Sequence, residues 1–438
     1  MQHYTLKGSN AREIAASAER ALASGALGPG EQLPTVRALA AHLRISPATV
    51  AAAYRALKLR GIIVGAGRRG MAVSQMPPLV TRSAPPVPPN VRNLADGRPD
   101  PALLPPLPSR VPRLFARHGY GEPYNRSELL SLGAQLFEAD GIAAGPIALT
   151  SGALDAIERL LQANLRVNDR VAVEDPGYPP VLDLIAALGL RAEPFRVDDL
   201  GPLPDEFGRI LKSGIEAAIV TPRAQNPTGA ALDAERTREL RRILRGYPDL
   251  LLVEDDHAGP VAGAQVMTLS EPGRSRWAIV RSLSKAFGPD LRLAIVTGDA
   301  MSISRLEGRQ RLGPGWVSHL LQGLAVTILT EAKTEGLVRR AERTYALRRH
   351  TLLQALARQG IAAHGSSGFN IWIPVPEEFA VVQSMLAAGW AVSAGERYRI
   401  KSPPAVRISI GTLMPGEYEK IAADLSASLA SRLPAHYA

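Results

Sequence analysis

The chain contains no cysteine, so it can build no disulfide framework, thiolate zinc site or cysteine nucleophile. Its eight histidines fall at no metal-ligand spacing, which argues against a metal centre built on them. Aromatic residues are scarce at 5%, yet nearly half of the chain is apolar, the balance of an ordinary globular protein. No apolar run approaches the roughly 20 residues that a membrane span needs. The polar, capped N-terminus lacks the pattern of a secretory signal. These absences predict a cytoplasmic protein without membrane, metal or thiol chemistry.

What is present is unevenly placed. At 438 residues the chain is long for one core and predicts two or three domains. Its net charge is +10, and residues 1–75 hold ten Lys and Arg against three acids, which is +7 of that total. A small basic module ahead of a nearly neutral larger one points to a polyanion such as DNA. Between them, "PPLVTRSAPPVPP" at 77–89 puts six prolines in thirteen residues. Such a run neither continues a helix nor sits inside a sheet. It reads as an extended linker at 76–92, leaving predicted domains at 1–75 and 93–438.

The basic module is well punctuated. Asn10, with Glu13 three residues on, gives a capping-box signal, and Ile14, Ala18, Ala21 and Leu22 follow at helical spacing. Thr35 caps a second stretch with apolar Val36, Leu39, Ala40 and Leu43. Ser46 caps a third, with Pro47 at the first helical position, where its missing N–H costs nothing. That helix runs to about Leu59 and stops at Gly61. "IIVGAGRRGMAV" then reads as two short strands around a tip carrying Arg68 and Arg69. Three helices with a tight second turn, then a hairpin, make a winged helix-turn-helix. Its third helix would enter the major groove of double-stranded DNA by its N-terminal residues, and the tip would meet phosphate or the minor groove.

From about Leu94 strands and helices alternate. "RVAVEDP", "AAIVTP", "LLLVEDD", "WAIVRSLS" and "LAIVTGD" are short β-branched runs ending in turns, and they predict an α/β fold with a mostly parallel sheet. Chemistry in such folds sits at the carboxyl ends of the strands, where Asp175, Asn226, Asp255 and Lys285 fall. Lys285 lies in "SLSKAFGPDLR", between a buried-looking strand and a Gly-Pro turn. A lysine there can shed its proton and form an imine with a carbonyl. Ser282, Ser284 and Arg292 add hydroxyls and a guanidinium fork suited to a phosphate. "TSGALDAIERL" at 150–160 adds a Ser-Gly-Ala turn opening a helix, an anion site by its free N–H groups. A lysine imine beside a phosphate cradle calls for pyridoxal 5′-phosphate, which also needs an acid at its pyridine nitrogen. "VEDDH" offers Asp255 at a strand end.

The stretch "LPTVRALAAHLRISPATVAAAYRALKLRGII" resembles the GntR-type regulator domain. It differs at Pro47, where that family carries a polar or basic residue used on DNA, so base readout leans on Arg37, Arg44, Thr49 and Arg55. Residues from about 94 to 430 resemble a fold-type I aminotransferase of class I. The whole chain resembles the MocR subfamily of GntR regulators. Its motifs "VEDP", "TPRAQNPTG", "SLSKAFGPDLRLAIV" and "WVSHLLQ" are most similar to the PtsJ-type branch, which is tied to vitamin B6 metabolism.

The resemblance implies a mostly parallel central sheet, a smaller C-terminal α/β subdomain and a homodimer. It also implies roles. Lys285 bonds the cofactor covalently. Asp255 pairs the pyridine nitrogen, with adjacent Asp256 leaving the register open by one. Asn226 bonds the phenolic oxygen, and Tyr178 in "EDPGYPP" stacks on the ring. Ser151, Gly152, Ala153, Ser282, Ser284 and Arg292 hold the phosphate, and Tyr120 in "YGEP" reaches toward a phosphate across a subunit boundary. Arg407 in "VRISIGTL" matches the arginine that grips a substrate carboxylate. At His257 the subfamily usually has a tyrosine that assists the phenolic oxygen. Imidazole can also bond an oxygen, so the change bears on amino-group transfer more than on cofactor binding. Two functions follow. One is a DNA-binding regulator whose aminotransferase-like domain senses a B6 vitamer or an amino-containing small molecule. The other is a working aminotransferase with an accessory DNA-binding domain. Charge asymmetry, the winged helix and His257 favour the first; Arg407 keeps the second open.

Overall fold

A computed structural model describes residues 6–23, 26–28, 30–59, 62–65, 70–74, 87–107 and 120–430. The chain forms two compact units, residues 1–85 and residues 86–438, except that the stretch Asp183–Arg191 groups with the first. Arg68, Arg69 and most of the expected linker lie outside the described residues.

The N-terminal unit holds α1 (Ala11–Ala23), α2 (Val36–Leu43), α3 (Pro47–Leu59) and an antiparallel pair, β1 (Ile63–Gly65) with β2 (Met71–Val73). Each helix starts where a short polar side chain can satisfy a free N–H. Asn10 Oδ1 accepts from Glu13 N at 3.0 Å, and the Glu13 carboxylate accepts from Ser9 N at 2.8 Å. Thr35 Oγ1 accepts from Ala38 N, and Ser46 Oγ from Thr49 N. Arg44 closes α2 in the left-handed region at φ 54, its N–H on the Ala40 and Ala41 carbonyls. That reversal sends the chain into α3 within two residues. Ile14, Leu39, Val50, Leu57 and Ile63 form the core. The unit is a winged helix-turn-helix.

The larger unit begins with β3 (Arg92–Asn93), then α4 (Ser127–Ala139), β4 (Ile147–Thr150), α5 (Ala153–Asn164), β5 (Arg170–Asp175) and α6 (Pro179–Ala187). Next come β6 (Arg191–Asp198), β7 (Gly201–Pro202), α7 (Pro204–Leu211), β8 (Ala217–Val220), α8 (Ala234–Leu244) and β9 (Leu251–Asp256). They are followed by β10 (Trp277–Ser282), α9 (Ser284–Phe287), β11 (Ala294–Gly298), α10 (Ala300–Arg311), α11 (His319–Thr330) and the long α12 (Thr334–Arg358). The C-terminal part adds β12 (Asn370–Pro374), α13 (Glu378–Ala387), β13 (Trp390–Ala391), β14 (Ser393–Ala394), β15 (Ala405–Ser409) and α14 (Glu417–Ala430).

Eight strands make one sheet in the order β4-β11-β10-β9-β8-β5-β6-β7. Strands β10, β9, β8 and β5 run parallel, and β11 is antiparallel to both its neighbours. Every residue of β8, β9, β10 and β11 is buried, as expected of strands covered on both faces. The parallel strands end together, and that shared edge carries the polar residues of "EDP", "VTPR", "EDDH" and "RSLSK". The C-terminal part packs a separate sheet, β12-β15-β14, with β3 paired to β13. Arg407 rises from its central strand.

Candidate functional site

The two aspartates of "VEDDH", Asp255 and Asp256, alternate across the sheet, as successive strand residues must, and their surroundings are opposite. Asp256 accepts from Arg223 Nε at 2.8 Å and Nη2 at 2.9 Å, and from Arg281 Nε at 2.8 Å. Burial alone would push its carboxyl up, but these two guanidinium groups hold it well below the usual carboxylate range. Arg281 pairs further with Asp140 at 2.8 Å. Asp255 has none of this. Its Oδ1 is buried with no hydrogen-bond partner among the described residues. Burial, with Asp256 and Glu174 nearby, pushes its carboxyl up to about 7. Asp255 and Tyr178 line one small cavity with Glu174 and Thr221. Tyr178 stays more than a third exposed at its edge.

Lys285 opens into the same region from α9. Its Nζ donates to the Gly97 carbonyl at 2.8 Å. Burial first, then the field of Arg407, lowers its ammonium to about 8, with Arg98 adding to the fall and Asp96 opposing it. A fraction of neutral amine is therefore present near neutral pH, the form that attacks a carbonyl. Arg407 is 4% exposed, donates to Asn226 Oδ1 at 2.9 Å and to the Ala95 carbonyl, and lies 4.8 Å over the Tyr398 ring. His257 Nε2 sits 2.8 Å from the Ala224 carbonyl. A carbonyl only accepts, so Nε2 carries the hydrogen and Nδ1 is left as an acceptor. Burial and nearby Lys285 drop the imidazole to about 4, so it is neutral.

The phosphate candidates gather around the start of α5. Gly152 precedes that helix at φ 103, and a Cβ there would stand 3.2 Å from the Arg292 guanidinium. Arg292 itself is left-handed at φ 42 and exposed. Ser284 Oγ is buried and unbonded among the described residues, and Ser282 Oγ accepts from Ser284 N at 3.3 Å. Ala153 begins the helix, while the Ser151 N–H already donates to Asp155 at 2.9 Å. A helix N-terminus, an arginine and a free hydroxyl together suit a dianion.

Tyr120 stands apart at 98% exposed, edge-on to Trp316 at 6.1 Å. Asp175 has a structural task. Its carboxylate accepts from Ile400 N, Lys401 N, Ser402 N and Ser402 Oγ at 2.7–3.0 Å, clamping that loop. Sequence reasoning missed Glu174, Gly97, Arg223 and Arg281. The two arginines had a readable signal, a basic residue inside each of two strand-end motifs. Gly97 had none.

In the N-terminal unit Arg37, Arg44 and Arg55 are exposed on α2, its end and α3. Thr49 is half-buried on the first turn of α3, its hydroxyl 2.9 Å from that of Ser46. Among the described residues no group of acids and histidines could hold a metal ion, and no helix is long and apolar enough to cross a membrane.

Comparison with known proteins places both units. The family "Aminotransferase class I and II" matches residues 115–425, and "Bacterial regulatory proteins, gntR family" matches residues 10–73. The vitamin B6 salvage pathway transcriptional repressor PtsJ of Salmonella typhimurium is 37% identical over 97% of this chain and 99% of its own. The HTH-type pyridoxine biosynthesis transcriptional regulator PdxR of Corynebacterium glutamicum is 30% identical over 54% of each chain. Among solved structures, the kynurenine aminotransferase of Pyrococcus horikoshii superimposes with a TM-score of 0.70 at 20% identity, covering 79% of this chain and 92% of that one.

Proposed function

The chain belongs to the MocR subfamily of GntR regulators, a winged helix-turn-helix joined to an aminotransferase class I and II domain, and on that premise we propose that it is a transcription regulator whose larger unit binds pyridoxal 5′-phosphate and senses a B6 vitamer or an amino compound. The observation that carries the cofactor reading is Asp255. A buried carboxylate with no cation is costly, and here the neighbouring Asp256 takes both Arg223 and Arg281 while Asp255 has neither. A pyridinium nitrogen would supply the missing charge. The relative named as a B6 salvage repressor supports the regulatory reading, and this chain matches it almost end to end.

The residues fit the group. Asp255 would hold the ring nitrogen and Tyr178 would cover the ring. Asn226 would donate to the phenolic oxygen. Gly152, Ala153, Ser151, Ser282, Ser284 and Arg292 would hold the phosphate, with Tyr120 available to a second copy. When bound, pyridoxal phosphate supplies an aldehyde and an electron-withdrawing ring that weakens bonds to the carbon of an attached amine. Lys285 would present its nitrogen to that aldehyde. Arg407, buried and within reach of Asn226, would bind a carboxylate on the effector. His257 spends its hydrogen on Ala224, so the site lacks the second donor that a tyrosine would give. That favours binding over rapid amino-group transfer. A homodimer in the cytoplasm completes the proposal.

The test maps DNA bound by the purified protein with and without pyridoxal, pyridoxal phosphate and amino acids. Vitamer-dependent binding to a defined sequence is expected. A second reading, a working aminotransferase, draws on the retained Arg407. Turnover of amino acid with keto acid at ordinary enzyme rates of ~1–10³ per second, with DNA binding indifferent to every vitamer, would reverse the order of the two.

The basic unit carries its own prediction. Arg37→Ala or Thr49→Ala should change which sequence is preferred, at about 1–3 kcal/mol for a contacted base. Replacing Arg68 and Arg69 together with alanine should weaken all DNA alike. It should also reduce the salt dependence by about one unit per lost phosphate contact. Filter binding across a salt series separates the two; an unchanged slope would remove the wing from the interface.

A further inference from the structure

On entering the larger unit the chain passes through β3 and then crosses the cofactor site. Leu94 fixes one end of the crossing: its N–H donates to the Ala391 carbonyl at 2.9 Å, and its carbonyl accepts from Ser409 N at 2.8 Å. Asp100 fixes the other. Its N–H donates to the Tyr345 hydroxyl at 2.9 Å, and its carboxylate pairs with Arg348 at 2.9 Å. Between these anchors Ala95–Pro99 meets the site through two carbonyls, that of Ala95 on Arg407 and that of Gly97 on Lys285. Gly97 stands at φ +64, a left-handed conformation that only glycine adopts freely. Asp96 and Arg98 on either side are exposed and pair at 3.2 Å. Lys285 has no carboxylate within ion-pair distance among the described residues, so the Gly97 carbonyl is the polar partner of its nitrogen.

We propose that Ala95–Pro99 is a strap that reports the chemical state of Lys285, tied down while the nitrogen is an amine and released when it condenses with an aldehyde. This rests on the cofactor reading above. As an amine or ammonium, Nζ has hydrogens to spare for Gly97. Condensation forms a C=N bond between Nζ and the aldehyde carbon, and the aldehyde oxygen leaves as water with two protons from the nitrogen. At most one hydrogen would remain on that nitrogen, and the hydroxyl oxygen ortho to the former aldehyde would compete for it. The Gly97 carbonyl then has no donor. A molecule that only fills the cradle leaves Nζ free to donate, and the strap stays shut. Because the strap follows directly on β3, the chemistry at Lys285 is read out in the backbone that leads back to the DNA-binding unit.

Hydrogen–deuterium exchange on the full-length protein tests this with three samples: no addition, pyridoxal 5′-phosphate, and pyridoxamine 5′-phosphate, which has no aldehyde. Borohydride reduction and mass spectrometry of the same samples report whether Lys285 is modified. Amides 95–98 should exchange about tenfold faster with the aldehyde, the scale of one lost charge-assisted hydrogen bond, and stay slow with the amine form. Lys285→Arg keeps a donor but cannot condense, so its strap should stay shut in all three. Gly97→Ala should be fast without any addition, since alanine disfavours φ +64 while its Cβ would meet Arg407 and Ser409 at an ordinary 3.5 Å. Equal exchange with aldehyde and amine, or no change while Lys285 is modified, overturns the strap and leaves the cofactor reading standing. An unmodified Lys285 in saturating pyridoxal phosphate overturns both.

Discussion

Asp256→Asn should cost the larger unit about 3–5 kcal/mol, the range for breaking a buried ion pair by removing one partner. The carboxylate is 1% exposed and bonds two arginines whose side chains are 6% and 4% exposed. An amide keeps the shape and loses the charge. Arg223 would keep the Ala264 carbonyl at 3.2 Å, and Arg281 the Leu136 carbonyl at 2.9 Å and a place over the Phe137 ring at 4.5 Å. For ion pairs they would share Asp140, whose side chain is 34% exposed, with Glu342 acting on Arg223 from farther off. Two buried cations would then be left with one partly solvated acid within ion-pair distance. Thermal unfolding should show a fall of roughly 10 °C. Asp140→Asn, at the solvated end of the network, should cost about 1 kcal/mol or less. Equal losses for the two variants would show that the network is not organised around Asp256.

The fold was legible because its signals are local. Parallel strands covered on both faces must be continuous apolar runs, and "AAIV", "LLLVEDD" and "WAIVRS" are such runs. The helix starts of the N-terminal unit were legible for the same reason, since Thr35 and Ser46 act on N–H groups three residues away. The site was legible wherever it sits at a strand end. What stayed hidden is contact between distant segments. Asp175 sits at a strand end much as Asp255 does, and only the loop 225 residues later shows that its oxygens are taken. The choice between Asp255 and Asp256 stayed open on sequence because both are acids at one strand end. It turns on Arg223 and Arg281, which lie 33 and 25 residues from Asp256 in sequence, on opposite sides of it. Gly97 lies in a segment with no periodicity, and its carbonyl has no side chain to read.

Asp255→Asn should do the reverse of its neighbour: stabilise the cofactor-free protein and weaken the cofactor. The Asp255 carboxyl is pushed up to about 7 by burial and by the nearby Asp256 and Glu174, from an ordinary 3.8. The folded chain therefore keeps a proton that the unfolded chain releases above about pH 4. Stability from this group is fully present below that pH and is lost as pH rises through about 7. Glu174 and Glu254 are pushed up to about 7 by burial as well and add slopes of the same sign, so the difference between wild type and variant isolates Asp255. Asparagine does not titrate. The two proteins should melt together near pH 4 and diverge upward, the variant gaining about 1–3 kcal/mol by pH 8, the usual penalty of an unpaired buried polar group. Pyridoxal phosphate should close that gap in the wild type, because a pyridinium beside Asp255 supplies the missing charge. In the variant the ring nitrogen meets a neutral amide, and affinity should fall by about 10²-fold, the scale of a charge-assisted hydrogen bond in a dry site. Calorimetric melts from pH 4 to 8, with and without cofactor, measure both effects on one sample. A variant that is no more stable at pH 8, yet binds cofactor as tightly as wild type, would show that Asp255 is not the acid at the ring nitrogen.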